Sequence, residues 1–538
     1  MVVIGSGVGG LCCAAVCAWQ GFNVCVVESH TIAGGCAHSF ERNGFTFDSG
    51  PSFYAGLQDP KGTSGNALKQ VLDLVGEDLP CASYDRWTCH FPGEGARMTI
   101  RANREDYRAA IAGWAGPAAV REWDALEAEM APLARFAAAA PFGAMRSDAL
   151  AGVTMARYGR ELLGAGVLQR YGPATGGLLN GPFSALVDKH VRDPKLRNLI
   201  DLECFVLSGM LAKETLTPEM VFMYNERNKP GAVLDYPLGG SQAYIDALVR
   251  GIRRRGGRVC LGQHVEALVV EGGRCVGAKL RGRAEVLRPR VATVSNASVW
   301  DTQRLLPPGS VPEARRREAE ALPKLDSFMH LHLGIDAEGL PPSEDLGIHH
   351  LVVNDWARGV DATRNVINIS IPSCLDPSLA PAGAHTVHVY TAANEPWAPW
   401  EGLDRRSAEY AALKEERSQV LWEALENVIP DVRRRERVRL VGTPLTHRRF
   451  LRREQGTYGA ALVAGKQAWP TAKTALPGLL ACGDSTFPGI GVPAAAGSGL
   501  IAANTLCSLP KHLAMLDALD ALRDASLRAA GADKAAGQ

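Results

Sequence analysis

The N-terminal residues alternate between short apolar runs and a stretch rich in glycine and other small side chains. Residues 2–4 and the run FNVCVVE are mostly apolar, as is typical of strands buried on both faces of a parallel sheet. The small apolar residues between them predict a helix packed against those strands. Strand, turn, helix and strand in this order predict a doubly wound α/β unit.

The turn after the first strand contains Gly5, Gly7 and Gly10 in the order G-x-G-x-x-G. The first glycine permits a sharp turn, the second lets a pyrophosphate approach the helix N-terminus, and the third allows close packing of helix on strand. Glu28 ends the second strand, where a carboxylate accepts hydrogen bonds from a ribose hydroxyl and repels a 2′-phosphate. The pattern predicts a Rossmann-type site for NAD or FAD rather than NADP, formed also by Ser6, Gly9 and Ser29.

More glycine turns follow the acidic residue, with Gly34 and Gly35 in AGGCAHSF and Gly50 in FDSGPSF. Turns at this spacing resemble the superfamily of FAD-binding amine oxidases and phytoene desaturases. The resemblance implies FAD as the cofactor, with an arginine after the paired glycines. This chain has Cys-Ala-His at residues 36–38 instead. What offsets the pyrophosphate charge is therefore open, with His38 as one candidate.

Residues 487–510 carry no charged side chain and are long enough to span a bilayer. They are, however, interrupted by Gly, Ser and Pro. In the superfamily that the chain resembles, this end completes the cofactor site. Asp484, after Gly483, is therefore predicted to bind the ribityl chain, and Gly491 and Val492 are predicted to begin a helix under the flavin ring. We interpret the stretch as cofactor-binding backbone and not as a membrane anchor.

A middle segment, beginning at YPLGGSQ, continues with a glycine turn, an amphipathic helix and three short strands. The resemblance implies that the backbone of Val265 holds the adenine end of the cofactor. Since both ends and the middle of the chain contribute, the cofactor domain is predicted to be discontinuous.

Helical spacing prevails over residues 103–230, with Asn103 as a candidate N-cap, while strand-like runs alternate with loops over residues 300–450. The predicted fold class is α/β: a discontinuous Rossmann-type FAD-binding domain, a mixed-sheet substrate domain and a helical cap. The predicted segments are FAD-binding at 1–75, 231–300 and 466–510, helical cap with the first part of the substrate domain at 76–230, the second part at 301–465, and a C-terminal helix at 511–538.

Composition removes several other classes of function. A net charge of +1 over 538 residues does not suggest a nucleic-acid partner. The 13 cysteines form no C-x-x-C pair and indicate reduced thiols in a reducing compartment. His330 and His332 share one face of a predicted strand, but the sequence suggests no third ligand near them, so no metal is predicted.

The segments DYPLGGSQAYIDALVRG, SFMHLHLGID, SCLDPSLAPAGAHTVHVYT and GTPLTHRRFLRREQGTYGA are similar to plant and cyanobacterial carotenoid isomerases of the prolycopene type or their isomerase-like paralogues. The likeness runs from residue 1 to about residue 510. The helix start near Val492 differs from those isomerases and is closer to the paralogues. The resemblance implies a redox-neutral cis-to-trans isomerisation of a poly-cis carotenoid that requires reduced FAD.

Several alternatives stay open. A related enzyme could desaturate, saturate or hydrate a carotenoid, and a flavin-stabilised carotenoid carrier would not react at all. Glu454 and His447 are weak candidates for catalytic polar groups, since the arginines around them also suit an ion network at a domain interface.

An apolar polyene dissolves in lipid, so peripheral membrane contact is expected through residues 103–230, where apolar faces and basic residues occur together. The basic candidates are Arg146, Arg157, Arg160, Lys189 and Arg192. The expected location is a plastid membrane, or the cytoplasmic membrane periphery in a bacterium.

Overall fold

The computed structural model describes residues 1–229 and 231–536. The strands in these residues are β1 (Val2–Ile4), β2 (Cys25–Val27), β3 (Ser39–Arg42), β4 (Phe45–Asp48), β5 (Cys81–Tyr84), β6 (Arg86–Phe91), β7 (Ala96–Arg101), β8 (Leu234–Pro237), β9 (Arg258–Cys260), β10 (Val265–Glu271), β11 (Arg274–Leu280), β12 (Val286–Leu287), β13 (Thr293–Ser295), β14 (His330–Asp336), β15 (His349–Val353), β16 (Val366–Ser370), β17 (Ala384–Thr391), β18 (Glu436–Gly442) and β19 (Leu479–Ala481).

The α-helices in the same residues are α1 (Val8–Trp19), α2 (Ala67–Val75), α3 (Arg104–Ala115), α4 (Pro117–Ala138), α5 (Ala151–Ala156), α6 (Gly159–Gly164), α7 (Val167–Tyr171), α8 (Thr175–Leu179), α9 (Ser184–His190), α10 (Pro194–Ser208), α11 (Thr217–Asn228), α12 (Gln242–Arg254), α13 (Val299–Leu305), α14 (Glu313–Glu320), α15 (Ser343–Leu346), α16 (Ala408–Glu426), α17 (Pro444–Leu451), α18 (Val492–Leu506) and α19 (Leu509–Ala536).

A parallel sheet with the strand order β19-β13-β1-β2-β9 forms the cofactor half of the molecule. Its strands come from the beginning, the middle and the end of the chain. This confirms the predicted discontinuous Rossmann-type fold, while the exact segment boundaries stay predictions. All parallel strands present their carboxyl ends at one edge of the sheet, which is where ligands bind in folds of this class.

Helices α1 and α18 pack closely on each other beside this sheet. A methyl group added to Gly499 of α18 would lie 2.3 Å from the carbonyl oxygen of Gly9 in α1, so the two backbones are nearly in contact. The uncharged stretch 487–510 therefore forms a turn and a helix inside the cofactor domain. In the part of the chain that the structure describes, no helix has the length and apolar character needed to cross a bilayer.

A mixed sheet with the order β18-β14-β17-β16-β15-β6-β7 forms the second half. Its neighbours pair antiparallel except β15 and β6, which are parallel. The buried residues Leu421 and Leu425 of α16 pack against Leu331, Ile367 and Val387 of this sheet. The sequence predicted this sheet from residues 300–450, and β6 and β7 join it from an earlier part of the chain.

The helical segment packs on the β6–β7 end of the mixed sheet. Its core contains Tyr107, Trp123 and Phe183 together with Phe91 and Ile100 of the two strands. The side chain of Asn103 accepts a hydrogen bond from the backbone N–H of Asp106 and so caps α3, as predicted. The C-terminal helix α19 buries Leu516 and Leu519 in the core of the cofactor domain.

Candidate cofactor and substrate site

A continuous cavity of about 950 Å³ connects the carboxyl edge of the parallel sheet with the mixed sheet and the helical cap. Glu28 and Gly483, which follow β2 and β19 of the parallel sheet, line it together with Val265. At the far end the lining is mainly apolar and aromatic, with Phe205 and Phe222 contributed by the cap, and Glu203, Glu226 and Arg227 of the same two helices also border it. The two ends thus differ in chemistry, one polar and rich in glycine, the other mainly apolar.

The glycine turn after β1 has no room for side chains. Gly5 has a φ of +92°, and a methyl group on Gly10 would lie 2.3 Å from the carbonyl oxygen of Gly5. A methyl group on Gly35 would lie 3.1 Å from the Cα of Gly7, so the second glycine turn crosses directly over the first. Gly34 and Gly50 also line the cavity beside this crossing. The result is an open backbone cradle at the N-terminus of α1, which suits a phosphate group.

Glu28 is held at this cradle by four hydrogen bonds. Its Oε2 accepts from the backbone N–H and the hydroxyl of Ser6, both at 2.8 Å. Its Oε1 accepts from the N–H of His30 at 2.7 Å and from the hydroxyl of Ser29 at 3.2 Å. The carboxylate is buried yet borders the cavity, so it is fixed in position for a ribose hydroxyl.

Asn296 is a site residue that the sequence analysis missed. It follows β13, and its side chain fills the space beneath the glycine turn. A methyl group on Gly7 would lie 2.7 Å from its Nδ2, and one on Gly483 would lie 2.8 Å from its Oδ1. Asn296 thereby links the N-terminal turn to the C-terminal turn. The sequence signal was weak: a polar residue directly after a short, buried strand of the sequence Thr-Val-Ser.

Arg453 is a candidate for the cation that offsets the pyrophosphate charge, which the sequence of residues 36–38 left open. Its Nη1 donates to Asp484 at 2.8 Å, and its Nη2 donates to the carbonyl of Tyr458 at 2.8 Å. The guanidinium lies beside Cys36, close to the paired glycines: burial raises the pKa of the Cys36 thiol, and the nearby charge of Arg453 opposes that rise. Its Nε is buried without a partner among the described residues. A cation from a distant part of the chain thus stands near the position where the family pattern places an arginine.

The helix α18 begins at the cavity. Gly491 has a φ of +102° and precedes Val492, the first residue of the helix, and both line the cavity with Asp484. The glycine cradle, the ribose-binding carboxylate, Asp484 with its arginine, and this helix N-terminus together fit a long dinucleotide such as FAD. The unpartnered Nε of Arg453 is one further donor for an anionic group.

The apolar end of the cavity leads away from Asp484 between the mixed sheet and the cap. Its walls are largely apolar or aromatic and include Phe53, Trp87, Val206, Leu207, Met223, Phe328, Leu351 and Tyr390. Side chains of this kind exclude water and contact a flat, conjugated molecule through dispersion.

The sequence suggested no third ligand near His330 and His332, but the structure places His388 beside them. His388 lies on β17, which pairs antiparallel with β14. In this register His388 is directly opposite His332. One nitrogen of each of these three histidines lies within 4.8 Å of the others. His447 of α17 joins them with its Nε2 at 2.6 Å from Nε2 of His330. Cross-strand register brought them together, and periodicity alone does not give register.

The two weak catalytic candidates end in different places. His447 lines the cavity, and burial together with the charge of Arg453 lowers its pKa to about 3. Glu454 does not line the cavity among the described residues; it pairs with Arg304, and its backbone N–H donates to Asp301 at 3.1 Å. Glu454 belongs to the interface ion network that the sequence analysis offered as the alternative.

The fold and the cradle define a dinucleotide-binding oxidoreductase scaffold. The chain belongs to the family described as flavin containing amine oxidoreductase, whose model matches residues 8–507, and its cofactor is FAD. It is 32% identical over 539 residues to the chloroplastic prolycopene isomerase of Arabidopsis thaliana, covering 96% of this chain and 84% of that protein. It is 26% identical over 546 residues to the neurosporene-forming phytoene desaturase of Rhodobacter capsulatus, covering 95% of this chain and 94% of that protein.

Solved structures show the same fold. An oxidoreductase from Methanosarcina mazei superposes with a TM-score of 0.59 at 19% identity, covering 93% of this chain and 98% of the other. At that identity the likeness concerns the fold alone.

Replacing Glu28 by Gln is expected to weaken FAD binding by about ten- to a hundred-fold. The amide has only one acceptor oxygen, so its NH₂ group must face the N–H donor of Ser6 or His30. The charge-assisted hydrogen bond to the ribose is also lost, which costs about 1.5–3 kcal/mol of binding free energy. Fluorescence titration of the apoprotein with FAD measures this. Glu271→Gln, an exposed carboxylate paired with Arg288, is the control and should bind like wild type. Equal affinities for both variants would mean that Glu28 does not face the ribose.

Proposed function

We propose that this protein is a FAD-dependent carotenoid isomerase. It converts cis double bonds of a poly-cis carotenoid of the prolycopene kind to trans, without net oxidation or reduction, while the flavin is kept reduced. The observation that carries this proposal is the similarity to prolycopene isomerases over nearly the whole chain. The apolar and aromatic end of the cavity agrees with a polyene substrate.

The protein positions the substrate and excludes water. The aromatic walls hold a polyene flat against the end of the cavity where Asp484 and Val492 lie. Reduced FAD supplies electron density and negative charge there, while the surrounding side chains supply orientation.

The test is incubation with poly-cis lycopene under reducing and oxidising conditions, followed by chromatography and mass measurement. An all-trans product of unchanged mass, formed only under reducing conditions, is expected. A product lighter by two hydrogens would support a desaturase, the second candidate, which the similarity to phytoene desaturase favours. Gain of two hydrogens or of water would indicate a saturase or a hydratase. Binding without any product would indicate a carrier.

We also propose that the protein takes its substrate from a membrane, as a peripheral protein. The expected location is a plastid, by analogy with the chloroplastic relatives, or the cytoplasmic membrane periphery in a bacterium. Three exposed apolar side chains support a contact surface on α5 to α7: Val153, Leu163 and Leu168, with 49%, 55% and 44% of their surface exposed.

Two of the five basic candidates are already paired within the protein. The side chain of Arg146 is buried and paired with Asp148, so it cannot reach a headgroup. Arg157 pairs with Asp517 and Asp520 of α19. Arg160, Lys189 and Arg192 are exposed, so both apolar and basic side chains are available for contact, and high salt or carbonate should strip the protein from liposomes in flotation.

The double variant Leu163→Glu/Leu168→Glu is expected to lower the liposome-bound fraction by about ten- to a hundred-fold. Roughly half of each leucine side chain is available for burial, and full burial of a leucine is worth about 1.5–3 kcal/mol. Val291→Glu, an exposed residue before β13, serves as the control and should bind normally. Unchanged flotation of the double variant would remove α6 and α7 from the contact surface.

A further inference from the structure

The buried histidines between the cavity and the mixed sheet form a chain. Nδ1 of His330 lies 2.8 Å from Nε2 of His388, and Nε2 of His330 lies 2.6 Å from Nε2 of His447. Both distances are those of hydrogen bonds. His330 is thus bonded through both of its ring nitrogens to other imidazoles.

The ring orientations distinguish a hydrogen-bonded chain from a metal site. The planes of His388 and His447 are inclined by only 19° and 12° to that of His330, with ring centroids 5.0 and 4.8 Å away. Separations of this size with such short N···N distances mean that the rings meet edge to edge. His332 instead stacks face to face on His388, with centroids 4.2 Å apart and planes inclined by 7°.

A metal ion must lie in the plane of each imidazole that binds it, along the nitrogen lone pair. Two rings stacked face to face cannot both meet that condition, so His332 and His388 cannot bind one ion without ring rotation. His332 already has a partner, since its Nε2 lies 3.1 Å from the carbonyl oxygen of Asp48. The edge-to-edge arrangement of the other three rings suits the passage of a proton.

One end of the chain opens into the cavity and the other is closed. His330 and His447 line the cavity, and Nδ1 of His447 makes no hydrogen bond with the described residues. Nδ1 of His388 is buried and likewise has no partner there. A proton can therefore be exchanged with a bound molecule at Nδ1 of His447, and its charge can be shared over three rings.

We propose that His447, His330 and His388 exchange a proton with the polyene, with His447 as the catalytic acid and base and the other two as positioning residues. This inference rests on the proposed isomerase function. The chain, carrying one extra proton taken from water, donates it from Nδ1 of His447 to one carbon of a cis double bond. The N–H bond breaks, the π electron pair forms the new C–H bond, and the positive charge spreads along the polyene.

The former double bond can then rotate as a single bond. Nδ1 of His447 takes a proton back from the same carbon, and the released C–H electron pair re-forms the double bond in trans. Nothing is oxidised or reduced overall. Burial lowers the pKa of both His330 and His388, so the resting chain is neutral, and a negative charge bound in the cavity favours the protonated form. A reduced, negatively charged cofactor would therefore promote the reaction by favouring the protonated histidines, although the reaction itself is redox-neutral.

The decisive experiment is the isomerisation of poly-cis lycopene by reduced holoenzyme in D₂O, with mass spectrometry of the product. Deuterium in the trans product is expected, because the carbon that gains a proton can lose either hydrogen. Isomerised product without deuterium would overturn the proton exchange and leave the isomerase function intact. Absence of any turnover would overturn the isomerase function and the inference with it.

Variants assign the residues. His447→Ala is expected to lower kcat by about a hundred-fold or more with unchanged FAD content, and added imidazole should restore part of the rate. His330→Asn should lower kcat about ten-fold with little change in KM. The loss is smaller than for removal of the acid–base group itself, because His330 acts through His447. His385→Asn is the control, a histidine on the same strand as His388 that bonds to Ser373 and should leave kcat unchanged. Wild-type kcat in His447→Ala would overturn the assignment.

A measurement on the resting holoenzyme tests the chain without turnover. In ¹⁵N-labelled protein, couplings through the two N–H···N bonds should connect the ring nitrogens of His330 with those of His388 and His447. His330→Asn should abolish both couplings, while His385→Asn should preserve them. Absence of the couplings in the wild type would overturn the hydrogen-bonded chain.

Discussion

Gly10→Ala is expected to yield a protein that loses FAD and is less stable than wild type. The added methyl group would lie 2.3 Å from the carbonyl oxygen of Gly5 and 3.0 Å from Cβ of Asn296. The first contact is with backbone, so it cannot be relieved by a side-chain rotation. The turn must shift, which costs about 1–3 kcal/mol in the free energy of unfolding and moves the phosphate-binding N–H groups at the start of α1.

Gly113→Ala is the matched control for this change. Gly113 also lies inside a helix, but a methyl group there meets no atom within 4 Å. The substitution should raise the free energy of unfolding by about 0.5–1 kcal/mol, since alanine favours the helix more than glycine does. Urea unfolding and flavin absorbance of the purified proteins measure both effects. If the two variants change stability in the same direction, close packing does not explain why residue 10 is a glycine.

Arg453→Met is expected to destabilise the protein by about 3 kcal/mol and to weaken FAD binding by about ten- to a hundred-fold. The substitution leaves the carboxylate of Asp484 in the cavity without its cation. The energy is at the lower end for a broken buried pair because 25% of the Asp484 side chain is exposed, against 13% for Arg453. The carbonyl of Tyr458 also loses its donor.

Two further variants separate the causes. Arg437→Met breaks a surface pair with Asp336, in which about two fifths of each side chain is exposed, and should change stability by about 1 kcal/mol or less. In Arg453→Met/Asp484→Asn the uncompensated charge is gone, so stability should recover, while FAD affinity stays low because both residues border the cofactor site. If FAD affinity recovers as well, Arg453 acts only as the partner of Asp484 and not on the cofactor.

Local sequence was sufficient for the cofactor domain. The glycine turn and the strand before Glu28 were predicted because each is defined by neighbours in the chain: a turn needs glycine, and a buried parallel strand needs an apolar run. The helix starting at Val492 was predicted from the family resemblance. The family resemblance then joined the three parts. The absence of charge in residues 487–510 follows from the close packing of α18 on α1.

Only the tertiary structure determined which polar groups border the cavity. Arg453 and Asp484 approach from different parts of the chain, and no periodicity places a guanidinium beside Cys36. The histidine chain depends on β14 pairing with β17 and on α17 meeting their edge, since a shift of one residue in register would turn His332 and His388 to opposite faces. Periodicity determines which face of a strand a residue occupies, whereas only packing determines which other residue it meets there.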